Sequence, residues 1–263
     1  IGKGFLERCL REEEERKEKA VFDAIAWSKA YEKIPSLSDF HGIPTPHFNT
    51  LIVSEPTYVG IGQTIRKEIV SKKAKAEGRT YSPGVKVQFY SNDRLVLMQK
   101  VIVPALQNGV DVLESRCLAS TLTYQILEAR EQGAKEEFIW GEVMTHPGNE
   151  LQLKYSPDLL IIATIDDPQK VIQRIEERKG FEKDDSTIFE NPEFQGKLKP
   201  LYEDRKLKEL FEKNGTCVAY LDAGRDRGYS RKQVVELYRS FYETGKIPEK
   251  YTSPEKVFVS DGN

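Results

Sequence analysis

The sequence has little cysteine, no long apolar run and almost no net charge, and each shortage narrows what it can be. There are 3 cysteines in 263 residues. Cys9, Cys117 and Cys217 are scattered without CxxC spacing, which argues for reduced thiols in a cytoplasmic protein and against a disulfide framework. No apolar stretch approaches the roughly 18 residues of a membrane helix, and no signal peptide is legible. Lys plus Arg total 40 against 42 Asp plus Glu, a net charge of -2. A broad nucleic-acid surface is therefore not expected, and only a local basic cluster remains open. Histidines are also few: His41 and His47 sit six apart in a loop with no nearby cysteine, so solvated or hydrogen-bonded side chains are a better reading than metal ligands. Repeats and low-complexity tracts are absent.

Against these shortages stands enough apolar content, 38%, to bury a good core, and one domain over residues 1–263 is favoured. The organising stretch is VDVLESRCLASTLTYQ at 110–125. Val110, Val112 and Leu113 form the apolar run of a parallel strand covered on both sides. Arg116 falls at the strand's end, and Ser120, Thr121 and Tyr124 follow at helical spacing. Their side chains can point back into the crevice beyond the strand's carboxyl end, where open α/β sheets bind ligands.

Other strands are expected near 51, 160 and 218, with helices over 62–75, 85–108, 193–213 and 230–243 and a loop at 146–150. Residues 20–31 read as helical. The strand LIVS at 51–54 runs into Glu55, Pro56, Thr57 and Tyr58, a carboxylate and an aromatic suited to a substrate-facing loop. Tyr90 and Arg94, four apart, share a helix face. A flat ring beside a guanidinium suits stacking on a base and donating to its carbonyls; the plainer reading is a core tyrosine next to a surface salt bridge to Asp93. Arg174, Arg178, Lys179 and Lys183 form a basic cluster that could close over a transferring phosphoryl group, or simply make a solvated helix face.

The termini add a possible phosphate loop. Gly2, Lys3 and Gly4 precede a helical pattern, and the last residues read KVFVSDGN. Placed end to start they spell strand, loop and helix, with Asp261 and Asn263 in the loop. That order suits phosphate binding by backbone N–H groups, a helix N-terminus and a lysine. The expectation is a first strand at 256–261, termini that meet as in a circularly permuted chain, and five parallel strands in one doubly wound, three-layer α/β sheet. An unrelated tail and edge strand would explain the same residues equally well.

In sequence order, EPTYVGIGQTIR, FYSNDR with VIVPALQNGVDV, SRCLASTLTYQ, PDLLIIATIDDPQKVIQRIEERKG and YLDA resemble the successive motifs of thymidylate kinases, over most of residues 51–243. The resemblance implies the P-loop kinase type of that fold. It also implies transfer of the γ-phosphoryl of ATP to dTMP with Mg2+, and commonly a homodimer. In this resemblance Lys3 matches the phosphate-loop lysine, with Gly2, Gly4, Asn263 and Arg174 beside ATP. Arg116 matches the arginine that holds phosphates between donor and acceptor. Tyr90 matches the ring that stacks on thymine, and Arg94 the arginine that bonds its carbonyl. Ser120, Thr121 and Tyr124 fall where the family lines base and deoxyribose, and Glu55, Pro56 and Tyr58 match the loop beside the acceptor phosphate. Arg178 and its neighbours match the lid, about 174–192, whose arginines supply transition-state charge. Two positions depart from the pattern. The family's Asp-Arg carboxylate is Ser115 here, and Gly4 stands where a hydroxyl residue is expected. Neither can anchor magnesium as an anion. Glu114 is adjacent to Ser115 but alternation turns it to the other face, and Asp261 is the remaining candidate. A kinase for another deoxynucleoside monophosphate, a catalytically weakened nucleotide-binding protein and a nucleic-acid module are the alternatives, the last disfavoured by charge.

Overall fold

The computed structural model describes residues 3–36, 48–133, 135–167, 169–170, 188–189 and 192–259. Two compact units divide the chain, one centred on Arg11–Tyr155 and the other on the residues from Ser156 onward together with those up to Leu10.

The larger unit is built on three parallel strands, β1 (Val21–Asp23), β2 (Thr50–Ser54) and β3 (Asp111–Ser115), hydrogen-bonded in that order. β2 lies in the middle, and Leu51, Ile52 and Val53 are almost wholly buried, as an apolar run covered on both faces demands. Asp23 ends β1 and caps α2 (Ala24–Tyr31), its Oδ1 accepting from the N–H of Ile25 and Ala26 at 3.0 and 2.9 Å. The expected helix over 20–31 therefore begins with a three-residue strand. After β2 come α3 (Gly60–Thr64), a π turn (Ile65–Ile69) and α4 (Lys72–Ala76). α5 (Pro83–Leu97) starts at the Ser82 cap and passes through a π turn (Met98–Ile102) into α6 (Val103–Gln107), matching the helix expected there. Leu97, Met98, Val101 and Ile102 pack with Leu51, Val53, Phe48 and Val110 in the core.

β3 leads through Arg116, at φ 72°, into α7 (Leu118–Glu131). This helix is buried nearly all round, so Thr121 and Tyr124 sit on an enclosed element. α8 (Glu136–Met144) and α9 (Pro147–Lys154) follow. The loop expected at 146–150 is thus mostly helix, because Pro147 sits in the first turn, where its missing N–H costs nothing. Gly148 lets α9 lie directly on α5: a Cβ there would stand 1.9 Å from the Ser91 carbonyl oxygen.

In the second unit β4 (Leu159–Thr164) and β5 (Cys217–Asp222) pair in parallel over six residues. The helix expected at 193–213 is two, α10 (Pro192–Tyr202) and α11 (Arg205–Lys213), the second capped by Asp204. α12 (Arg227–Thr244) follows β5 and stops at Gly245. The strand expected at 256–261 is not formed: Pro254–Val259 is a helix, α13. Ser253 and Pro254 supply a helix start, and that local signal outweighs the β-branched look of a three-residue apolar run. Five parallel strands are present among the described residues, but as sheets of three and two, with Val21–Asp23 in place of the expected terminal strand. The meeting of the termini lies outside the described residues.

Candidate active site

The site belongs to the larger unit and gathers at the carboxyl ends of β2 and β3. Beyond Ser54 the chain turns through a cis Glu55–Pro56 bond. Two helices pin this loop. From α5, Asp93 accepts from the Thr57 N–H at 2.7 Å and from its hydroxyl at 2.6 Å. From the π turn after α3, Arg66 donates to the carbonyl oxygens of Pro56 (2.6 Å) and Thr57 (3.1 Å). The Arg66 guanidinium also lies 3.8 Å from the Tyr58 ring centre, with the Lys29 ammonium 3.9 Å from it. Burial raises the Asp93 pKa, while the bonds from Thr57 favour its charged form.

Arg94 is 1% exposed, and the neighbouring Asp93 is not its partner. Its partners arrive from elsewhere. Nε donates to both Glu55 oxygens at 3.0 and 3.1 Å, and Nη2 bonds Glu55 Oε2 and, at 3.0 Å, the Thr121 hydroxyl. Nη1 donates to Asn149 Oδ1, and Asn149 is itself held by the Val143 carbonyl at 2.6 Å. Four of the five guanidinium N–H groups are thereby engaged, and one on Nη1 has no partner among the described residues. The surface salt bridge to Asp93 is not formed, since Asp93 serves Thr57 instead.

A second carboxyl completes the cluster. The pairing of Val53 with Glu114 puts Glu114 and Glu55, two residues beyond Val53, on one side of the sheet. Glu114 Oε2 accepts from Gln152 Nε2 at 2.9 Å, and Gln152 Oε1 accepts from the Leu118 N–H at 2.6 Å. Burial, then the Glu55 charge, holds the Glu114 pKa well above the usual carboxylate range. Glu55 is raised by burial too, against the pull of Arg94. Burial opposes the Arg94 charge, but Glu55 outweighs it and the guanidinium pKa rises. Burial likewise pushes the Cys117 thiol up to about 12, so this cysteine is no nucleophile.

Tyr90, one turn before Arg94, is partly exposed. Burial raises its pKa, with the Arg116 and Arg66 charges opposing and Glu128 and Tyr124 reinforcing the rise. Arg116, exposed at the mouth of β3, lies 5.5 Å from the centre of the Tyr124 ring. Glu55, Pro56, Tyr58, Tyr90, Arg94, Arg116, Ser120, Thr121 and Tyr124 thus fall within one unit. Sequence reasoning missed Arg66, Asn149 and Gln152 as parts of the site. Only Arg66 carried a signal, as the last residue of EPTYVGIGQTIR. Lys3 opens α1 (Lys3–Arg16), which continues through Gly4. Gly2, Arg174, Arg178, Asp261 and Asn263 lie outside the described residues. No cluster of three or more potential metal ligands exists among the described residues. At the end of β3 neither candidate is free for magnesium: Ser115 offers no charge, and Glu114 is bonded to Gln152.

Comparison with known proteins gives one consistent answer. The thymidylate kinase family pattern matches residues 44–225. A probable thymidylate kinase of Pyrobaculum calidifontis is 27% identical over 186 residues, 71% of this chain and 80% of that protein. One from Pyrococcus abyssi is 36% identical over 78 residues, 30% of this chain and 38% of that protein. A thymidylate kinase of Thermoanaerobacter sp. is 23% identical over 194 residues, 74% and 84% of the two chains. Among solved structures, the thymidylate kinase of Candida albicans superposes with a TM-score of 0.51 at 17% identity, covering 84% of this chain and 90% of its own.

Proposed function

This chain belongs to the thymidylate kinase family, and on that premise we propose that its pocket seats dTMP for phosphorylation by ATP to dTDP. One observation carries the reading: a fully buried arginine, fixed by Glu55, Thr121 and Asn149, keeps a single Nη1 N–H for a ligand. A thymine carbonyl is the acceptor that such a lone, fixed donor fits. Tyr90, on the same helix one turn away, supplies the ring to stack on the base. Thr121 and Tyr124 line the base and sugar, with Ser120 beside them, and Tyr124 excludes a 2′-hydroxyl. The Glu55–Pro56–Tyr58 loop flanks the acceptor phosphate, and Arg116 bridges donor and acceptor phosphates.

Phosphoryl transfer of this kind needs positioning and charge neutralisation rather than a covalent intermediate. The pocket residues described here do the positioning: the loop is clamped by Asp93 and Arg66, the base by Arg94, and Arg116 adds charge where the phosphates meet. In this reading Lys3, Gly2, Gly4, Asn263 and Arg174 hold ATP, and Arg178 in a lid about 174–192 adds charge at the transferring group. ATP is expected with Mg2+, for which Asp261 is the candidate carboxylate. The two units are taken to serve one kinase domain over 1–263 that works as a cytoplasmic homodimer; no helix among the described residues is long and apolar enough to cross a membrane.

The test is ADP release from ATP with each deoxynucleoside monophosphate in turn, repeated with Arg116→Ala. Turnover is expected with dTMP above the others and to fall by about 10²-fold or more in the variant, the scale of losing one charge-stabilising donor. Equal turnover with all acceptors would remove the substrate assignment.

A further inference from the structure

We propose that Glu114 is a positioning residue: it carries a proton in the native protein, donates it to the Glu55 carboxylate, and so keeps Glu55 committed to Arg94. The inference rests on the reading of Arg94 as the contact to the acceptor base.

The oxygens of Glu114 have unequal surroundings. Oε2 has a donor in Gln152 at 2.9 Å. Oε1 is buried and has no hydrogen-bond partner among the described residues, and the carboxyl stands on the same side of the sheet as Glu55. Two carboxylates face to face are both acceptors, so such a contact bonds only when one of them holds a hydrogen. The cation decides which. Arg94 is wrapped around Glu55 at 3.0 and 3.1 Å, and one buried guanidinium offsets one buried negative charge. The proton therefore stays on Glu114. The groups facing Glu114 are Glu55 from the end of β2, Arg94 from α5, Cys117 from the turn into α7 and Gln152 from α9. The Asp93 charge also bears on Glu55.

The neutral Glu114 is tied to the pocket at two ends. Through Glu55 it sets Arg94. Through Gln152 it reaches the Leu118 N–H at 2.6 Å, the first residue of the helix whose Thr121 accepts from Arg94 at 3.0 Å. Once Glu114 ionises, a second negative charge stands against Glu55 and competes for Arg94, and the geometry that holds the base is lost.

The experiment follows KM and kcat for dTMP from acidic to alkaline pH in the parent, Glu114→Gln and Glu55→Gln, with infrared difference spectra of the same proteins without nucleotide. In the parent, KM is expected to rise up to about tenfold per pH unit above the Glu114 midpoint, as the competent fraction falls, with kcat nearly level. Glu114→Gln keeps an N–H donor toward Glu55, and its KM is expected to stay flat over that range. The parent minus Glu114→Gln spectrum should contain a protonated carboxyl band at neutral pH. The band should be lost in Glu55→Gln, where Arg94 draws Glu114 into its charged form. An identical KM profile in parent and Glu114→Gln overturns the proposal, as does a parent spectrum without the band. Should Glu114→Gln not fold, parent against Glu55→Gln decides by the same band. If no variant phosphorylates dTMP but the band behaves as stated, the proton assignment holds and the substrate reading fails.

Discussion

Glu55, Asp93, Glu114 and Glu128 are buried acids whose pKa values burial raises. Each therefore prefers to be neutral in the folded chain more than in the unfolded one. Their contribution to stability is complete below the unfolded value of about 4 and declines as pH rises through the higher folded values. Urea unfolding followed across pH should show the midpoint falling from mildly acidic to alkaline solution, with a shallower fall in Glu114→Gln. A midpoint that rises over that interval would contradict the assignment. Arg94 gives the opposite kind of dependence on a single group. Replacing it by Leu strips the cation from Glu55 and leaves a buried carboxylate opposite Glu114. The expected loss is about 3–5 kcal/mol, measured by denaturant unfolding. A loss below about 1 kcal/mol would mean that the pair is far better solvated than its burial indicates.

Among the elements, legibility followed length and local chemistry. The run at 51–54 was readable because a buried parallel strand needs uninterrupted apolar residues. Val21–Asp23 was not, since three residues merge into the pattern of the helix behind them; its one signal was the Asp23 cap. KVFV at 256–259 misled because so short an apolar run fits strand and helix alike, and Pro254 settles it. Within the site, Tyr90 with Arg94 and Ser120 with Tyr124 were visible through helical spacing. Arg94 and Glu55 stand 39 residues apart in sequence, a partnership no periodicity encodes. Gly148 presents the same difficulty from the packing side. In sequence it looks like part of a turn, whereas in the fold it is the point where α9 rests on the Ser91 carbonyl. Gly148→Ala should force the helices apart and cost about 3 kcal/mol, the upper end for overpacking. Circular dichroism melting would show it as a lowered transition; an unchanged transition would mean that α9 shifts at little cost.

For the molecule as a whole, the family pattern over residues 44–225 fixes the reaction more firmly than any single contact, because ordered motifs spread along a chain are improbable by chance while any one is common. On the proposed role of Arg116, stability and activity nonetheless pull against each other at that residue. Its backbone at φ 72° occupies a region that costs a side-chain-bearing residue roughly 1–2 kcal/mol, and the proposed phosphate contact is what requires an arginine there. Arg116→Gly and Arg116→Ala both remove the cation, but only glycine enters that region without penalty, so the glycine variant should melt above the alanine one by about 1 kcal/mol in stability. Equal melting of the two would show the turn relaxing once the guanidinium is gone. If the glycine variant leads, catalysis in this enzyme is sustained at the expense of heat resistance, and a search for hardier variants by stability alone would drift toward inactive ones at this position.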